Sequence, residues 1–310
     1  MSKIVVYGSF VVDLMQRASH LPVTGETVKS SLFKMGPGGK GFNQAVAADQ
    51  AGADVQLITK LGRDAFANVA LDKMKAEAMN TDYIFYSEEE PTGTALIMVD
   101  EETSDNKIMV NAGACGAFNE EDVEVITPVI KEADYLLAQL ETNMDMLEKV
   151  IDIALENNVS VVLDPAPIQE LEDELLQKIN IITPNEVEAS VLTDIPVKNK
   201  EDAEKAADYL LAKGIESVVI TLGEQGVFVK NDKKSAFIKN FKVDVLDTAG
   251  AGDAFNGGFL TALSEGKDIF EAAQFGCATA NLSVTKLGTS VAMPKRAEVD
   301  AFIEKNLVTI

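Results

Sequence analysis

A doubly wound α/β fold, an open and mostly parallel sheet flanked by helices, is the class this sequence predicts, on three observations. Short β-branched runs recur along the chain, amphipathic stretches fill the gaps between them, and one region of extended segments breaks that rhythm. The runs are IVVYG at 4–8, YLLAQL at 135–140, VSVVLDP at 159–165, INIITP at 179–184 and SVVITLG at 217–223. Each is apolar without alternation and ends in turn residues, as expected of a parallel strand covered on both faces. The clearest helix runs from Glu201 to Lys213: Glu201 is spaced to pair with Lys205, Ala206, Tyr209 and Leu210 share a face, and Gly214 supplies the stop. From Tyr83 to Asn111 the segments DYIFYS, TGTALIMVD and NKIMVNAG are separated by EEEP and EETSDN. That pattern predicts antiparallel strands with polar turns, a small β excursion suited to a lid or an interface.

Composition narrows the function classes. With 310 residues, 46% hydrophobic, the chain holds two domains or one large α/β unit at the usual size of about 100–200 residues per domain. Its 27 basic against 50 acidic residues leave a net charge of −23, a field that repels the nucleic-acid backbone and anionic lipid, so neither is expected as a partner. The acidic residues lie in short runs such as Glu88-Glu89-Glu90 and Glu120-Glu121-Asp122, which solubilise a folded surface. Cys115 and Cys277 are the two cysteines, far apart and outside any CxxC spacing, which fits a reducing cytoplasm and no thiolate metal site. The single histidine, His20, sits in the loop-like SHLPVTGE and is read as a surface residue. No apolar run approaches the roughly 20 residues of a membrane span.

Two glycine clusters carry chemistry. Gly36-Pro37-Gly38-Gly39-Lys40-Gly41 matches G-x-G-x-x-G as a string but does not close the first strand, which ends at Gly8-Ser9, and Asp64 is an ambiguous partner for a ribose, so a dinucleotide fingerprint is rejected. What remains is a turn opening the helix FNQAVAADQAG, with Lys40 and Asn43 in its first turn, where backbone donors and a cation suit an oxygen-rich ligand. In FKVDVLDTAGAGDAFNGGFLTAL, Asp247 and Thr248 are expected at a strand end, followed by Ala-Gly-Ala-Gly and by Asp253 at the start of an apolar helix. The glycines let successive N–H groups form an anion nest at the positive end of the helix. Asp253 is then either a general base beside the nest or a plain N-cap. In Thr183-Pro184-Asn185-Glu186-Val187-Glu188, Asn185 and Glu188 suit a capping box, while their place after a buried strand also suits a ligand site, with Glu188 holding Mg²⁺ through water.

Taken in order, GSFVVD, GGKGFNQAVAA at 38–48, AQLET at 138–142, LDPAP at 163–167, TPNEVEA at 183–189, TLGEQG at 221–226, DTAGAGDAFNGG at 247–258 and KLGT at 286–289 resemble the ribokinase and phosphofructokinase B carbohydrate kinase superfamily, essentially end to end. The resemblance implies an α/β/α sandwich over 1–310 with a small β lid from about 10–35 and 83–111 that also forms a homodimer contact. It implies ATP as donor, Mg²⁺ and activation by a monovalent cation such as K⁺. Carried over residue by residue, Asp253 resembles the base that deprotonates a sugar's primary hydroxyl, with Gly250, Ala251 and Gly252 as the anion hole. Val11, Asp13, Gly39, Lys40, Gly41, Asn43 and Glu141 match the sugar side. Asn185, Thr221, Gly223, Gly226, Gly252 and Cys277 match the nucleotide side, with Glu188 near Mg²⁺. Asp247 by side chain, and Ala249, Ser283, Lys286, Gly288 and Ala292 by backbone or hydroxyl oxygen, match the monovalent-cation loop.

The chain departs from that pattern twice. Phe10, Val11 and Val12 stand where an Asn is common on the sugar side, and Cys277 stands where a His or Asn is common near adenine. The leading expectation is phosphorylation of D-ribose at O5. The same chemistry on 2-deoxyribose, fructose or a nucleoside is the second, motivated by the apolar Phe10-Val11-Val12. A silent sugar or nucleotide sensor is the third, and a nicotinamide-linked oxidoreductase a distant fourth.

Overall fold

The computed structural model describes residues 2–103 and 105–307; Ser104, in the EETSDN turn, lies outside them. The first half of the chain contributes strands β1 (Lys3–Tyr7), β2 (Val11–Ala18) and β3 (Leu32–Gly38), helix α1 (Lys40–Gln50), β4 (Asp54–Gly62), α2 (Ala67–Ala76), β5 (Ile84–Ser87), β6 (Thr92–Asp100), β7 (Asn106–Gly113), α3 (Glu120–Lys131), β8 (Tyr135–Ala138) and α4 (Met144–Glu156). The second half adds β9 (Ser160–Leu163), α5 (Asp173–Leu176), β10 (Ile181–Ile182), α6 (Glu186–Thr193), α7 (Lys200–Ala212), β11 (Ser217–Thr221), β12 (Gly226–Asn231), β13 (Ser235–Lys239), α8 (Ala251–Ser264), α9 (Ile269–Ser283) and α10 (Arg296–Leu307).

Nine strands form the main sheet in the order β13-β12-β11-β10-β9-β8-β1-β4-β5, parallel except where β12 turns back on β11 and β13 on β12. Alternation along β1 shows why helices cover both faces. Ile4 and Val6 point into a core shared with α1, α2, α8, α9 and α10, whereas Val5 and Tyr7 point into a second core closed by α3, α4, α6 and α7. The result is the α/β/α sandwich.

A separate sheet of four strands, ordered β3-β2-β6-β7, stands beyond the carboxyl end of the main one. Its β2–β3 and β6–β7 pairs are antiparallel, but β2 and β6 run parallel, Asp13 facing Ala95. Here the expectation for 83–111 is corrected: Ile84–Ser87 extends the edge of the main sheet beside β4, so only the last two of the three segments join the small sheet. Asp64 ties the two sheets together. Its carboxylate accepts the N–H of Thr92 at 2.8 Å, where β6 enters the small sheet, and those of Phe66 and Ala67 at the start of α2. That settles its role as structural.

Two further expectations fail locally. The segment before Asp247 is not a strand: its backbone is irregular and is held by Leu246 and Asp247 N–H groups donating to Val284 O, so it follows the end of α9. In α7, Lys205 pairs with Asp202 rather than Glu201, and Tyr209 is exposed while Ala206 and Leu210 are buried. Gly214 ends that helix as expected, at φ 109°.

Close helix packing positions the site. A Cβ placed on Gly257 of α8 would lie 2.4 Å from Ala47 Cβ and 2.7 Å from Ala48 N of α1, so the glycine lets the two backbones approach. Gly257→Val is expected to force α1 from α8 and lower stability by about 1–3 kcal/mol, read as a lower urea midpoint at unchanged slope; an unmoved midpoint would show that the approach is not required.

Candidate active site

The sugar-side residues converge at the carboxyl ends of β1 and β8, where open α/β sheets hold ligands. Gly39, the N-cap of α1, lies at φ 93°, and a Cβ there would collide with the Phe10 and Val11 backbone at 2.8 Å. No side chain of its own caps α1. Glu141 does so from the loop after β8, accepting Lys40 N at 3.0 Å and the Ser9 hydroxyl through the same oxygen, Oε2. Gly38, beside it, leaves room for the Asp13 carboxylate, which a Cβ at Gly38 would meet at 2.3 Å. Val11 lies two residues before Asp13 and so on the same face of β2.

Asp253 sits in the first turn of α8. Gly250 is the N-cap, at φ 74°, and Asp253 is the helix's third residue, so the N-cap alternative for Asp253 is excluded. Its carboxylate is buried and receives Asn43 Nδ2 at 2.9 Å and Gln44 Nε2 at 3.0 Å. Asn43 Oδ1 on the other side of that amide is buried without a partner, an acceptor that a ligand hydroxyl would satisfy.

Burial and mutual repulsion raise the carboxylates here. Asp253 is pushed up by burial, against the pull of Lys40, Asn43 and Gln44. Burial, then the charge of Asp253, brings Asp13 to about 7, and burial brings Asp164 to about 8 in spite of Lys40. For Lys40 burial works against the charge, but Asp164, Asp253, Glu141 and Glu188 overcome it and hold the ammonium above its ordinary range.

A neighbouring cavity of about 630 Å³ is lined by all six nucleotide-side residues, Asn185, Thr221, Gly223, Gly226, Gly252 and Cys277, together with Ala251. Gly252 opens straight onto it, since a Cβ there would meet nothing within 4 Å. Cys277 is buried and its thiol is pushed up to about 12 by burial, so it is a neutral packing surface. Asn185 and Glu188 do form the capping box of α6: Asn185 Oδ1 accepts Val187 N and Glu188 N, and Glu188 Oε2 accepts Asn185 N at 2.8 Å. Among the described residues no three His, Cys, Asp or Glu side chains cluster as a protein-only metal cage. A single carboxylate such as Glu188, three residues from the cavity-lining Asn185, suits Mg²⁺, which keeps waters and takes phosphate oxygens.

The residues of the expected cation loop converge below α8. Asp247 Oδ1 accepts Ala249 N and Oδ2 accepts Gly288 N, each at 3.0 Å, which clamps 247–249 against 283–292. Lys286 turns its ammonium to Glu298 at 3.0 Å, leaving only its backbone oxygen for such a role. Ser283 Oγ donates to Ala280 O, and Ala292 N to Thr289 O. The donors on offer are one carboxylate and carbonyl oxygens, a set that fits a group 1 cation.

Several residues escape the sequence reading. Ser9, Gln44, Asp164 and Thr289 join the sugar side, Thr289 Oγ1 standing 3.5 Å from Asp13 Oδ2, and Glu224, Asn240 and Asn281 line the cavity. For Asp164 the signal is a carboxylate ending the apolar VSVVL, and for Gln44 a glutamine inside the apolar helix FNQAVAA. Thr289 and Asn240 carry no local signal.

With that geometry in place, the pattern described as pfkB family carbohydrate kinase matches residues 1–296. This chain belongs to the pfkB family of carbohydrate kinases. It is 44% identical to the ribokinase of Haemophilus influenzae over 299 residues, 96% of this chain and 97% of that one. A deoxyribokinase of Salmonella typhi is 32% identical, across 98% and 99% of the two chains. Among solved structures, Arabidopsis thaliana ribokinase complexed with ribose and ATP superposes with a TM-score of 0.91 at 28% identity, covering 98% of this chain and 99% of that one. No helix among the described residues is long and apolar enough to cross a membrane.

The raised carboxylates of this kinase make its stability pH-dependent. Asp164 has a folded value of about 8 against 3.8 for an ordinary aspartate, so the folded state binds more protons between those limits and loses stability as pH rises through them. Asp164→Asn keeps an acceptor for Gln44 and removes the charge. The ligand-free variant is expected to melt above the wild type at about pH 8.5 and to converge with it near about pH 5; parallel curves would place the charge elsewhere.

Proposed function

We propose that this kinase transfers the γ-phosphate of ATP to O5 of D-ribose, with Asp253 as the base. The observation that carries the reading is the placement of Asp253: buried, held by two amide donors, and in the first turn of a helix whose glycine-rich start faces the nucleotide cavity. A hydroxyl lying between Asn43 Oδ1, Asp13 and Asp253 gives its proton to Asp253, and the N–H groups at Gly250, Ala251 and Gly252 face the charge of the transferring phosphoryl group. Glu141 and Lys40 orient the remaining hydroxyls. Glu188 would hold, through water, a Mg²⁺ ion that would supply neutralisation of the phosphate oxygens, and the Asp247 loop would hold a monovalent cation beside the nest. Asp253→Asn is expected to lower kcat by about 10²–10⁴-fold while ADP still binds, read by ADP release and calorimetry; undiminished turnover would remove Asp253 from the role.

The likeness to ribokinases over nearly the whole chain favours ribose. One observation favours 2-deoxyribose as a second reading: Val11, on the Asp13 face, gives a sugar hydroxyl nothing to bond. A panel of ribose, 2-deoxyribose, fructose and a nucleoside, run with and without K⁺, decides between them. Ribose is expected to rank first in kcat/KM, and K⁺ to raise kcat more than it lowers the sugar KM; 2-deoxyribose ranking first would transfer the assignment to the second reading.

We also read the four-stranded sheet as the lid and dimer contact of a single kinase unit. The register aligns Leu14, Met35, Leu96 and Met109 across one face, and Met35, Leu96 and Met109 are exposed. A cytoplasmic setting agrees with the two buried free thiols.

A further inference from the structure

The amide of Gln44 is completely buried between two carboxylates of the site. Its Nε2 donates to Asp164 Oδ2 at 2.6 Å and to Asp253 Oδ1 at 3.0 Å, while its Oε1 accepts Gln139 Nε2 at 2.7 Å. The contact with Asp253 sets the orientation of this amide. Turned over, the amide would aim its oxygen at the Asp253 carboxylate and, with Gln139 as it stands, its N–H groups at another donor. Gln139 is itself completely buried, and it fits because residue 8 is glycine: a Cβ on Gly8 would lie 2.0 Å from Gln139 Oε1. From β1 to α8 there is thus one chain of contacts, in which Gly8 makes room for Gln139, Gln139 fixes Gln44, and Gln44 fixes Asp253.

Asn43 reaches the opposite oxygen of Asp253, Oδ2. Each carboxylate oxygen therefore has one amide donor, and the plane of the carboxyl group is set by two points. Asn43 has a second function open to it, since its Oδ1 is free for a ligand, whereas both ends of the Gln44 amide are engaged by protein.

We propose that Gln44, held by Gln139, is the positioning residue that aims the Asp253 carboxylate at the sugar hydroxyl, and that it does so without touching sugar or nucleotide. Without the Gln44 donor, Asp253 keeps one tether and rotates about it, and Asp164 loses the group that holds it away from the base. Misplacement of a reacting group by about 1 Å costs on the order of 10²-fold in rate, so the effect falls on turnover and not on affinity.

The inference rests on Asp253 being the base, and the experiment separates the two ideas. Gln44→Met and Gln139→Met, which keep side-chain length and remove the donor in each case, are measured alone and in the Asp253→Asn background, alongside melting temperature and ADP affinity. The expected result is a kcat about 10–100-fold lower for Gln44→Met and a smaller loss for Gln139→Met, with both KM values within about threefold of wild type. In the Asp253→Asn background neither change is expected to lower the residual turnover further. Full additivity with Asp253→Asn, or a loss confined to KM, would overturn the positioning role. An active Asp253→Asn would instead overturn the assignment of the base. Should Gln44→Met lower the melting temperature so far that it is not folded at the assay temperature, Gln139→Met, which leaves the Gln44 donor in place but free to turn over, decides by the same two criteria.

Discussion

The attraction between the Lys40 ammonium and the carboxylates of Asp164, Asp253, Glu141 and Glu188 sets the electrostatics at the carboxyl end of the sheet. An ionised carboxylate taken out of water costs several kcal/mol unless a partner offsets it. Here the carboxylates outnumber the cation, so the balance is completed by protonation and by neutral donors. Asp13 and Asp164 move toward neutrality, Glu141 takes the first N–H of α1 and the Ser9 hydroxyl, and Asp253 takes two amides. The carboxylates are thus held in different ways, Asp13 and Asp164 by a rise toward neutrality and Asp253 by neutral donors.

Glycine decides how near these groups stand. Gly39 brings the start of α1 against the Phe10–Val11 backbone, Gly38 admits the Asp13 carboxylate, and Gly257 brings α1 and α8 together so that residues 43 and 44 reach residue 253. Any side chain at these positions would separate elements whose charges must interact at hydrogen-bond range. The absence of side chains is therefore a geometric condition on the chemistry, and it explains why the glycines cluster beside charged residues in the sequence.

This also accounts for what the sequence discloses and what it hides. Apolar runs such as SVVITLG announce themselves as buried strands because burial on both faces leaves no polar alternation. Ile84–Ser87 misleads for the same reason: its pattern is that of a strand, and nothing local says which of two sheets it joins, a choice made by contact with β4. Asp253, Lys40 and Asn43 are legible because they adjoin dense glycine clusters. Gln44 and Asp164 are not, since their meaning lies in partners 209 and 120 residues away along the chain. FKVDVLD reads as a strand from its alternation, yet it pairs with no strand of either sheet and is drawn instead to the end of α9.

The overall charge of −23 is hard to reconcile with a nucleotide polyanion as substrate until distance is considered. At physiological ionic strength exposed charges are screened within about 8 Å. Glu120 and Glu132, for instance, lie on the surface in ion pairs with lysines and contribute little at the cavity. The buried groups are not screened in this way, and there the amino end of α8 and the ammonium of Lys40 are the positive features. The acidity is a property of the surface: the few positive features of the site are close and at least half-buried, while the many negative ones outside are distant and wet. The exception is the ring of carboxylates around Lys40 itself. Its excess negative charge lies beside Asn43 and Asp13, and the amino end of α8 opens onto the cavity; in the proposed reaction the first would meet hydroxyl protons and the second phosphate.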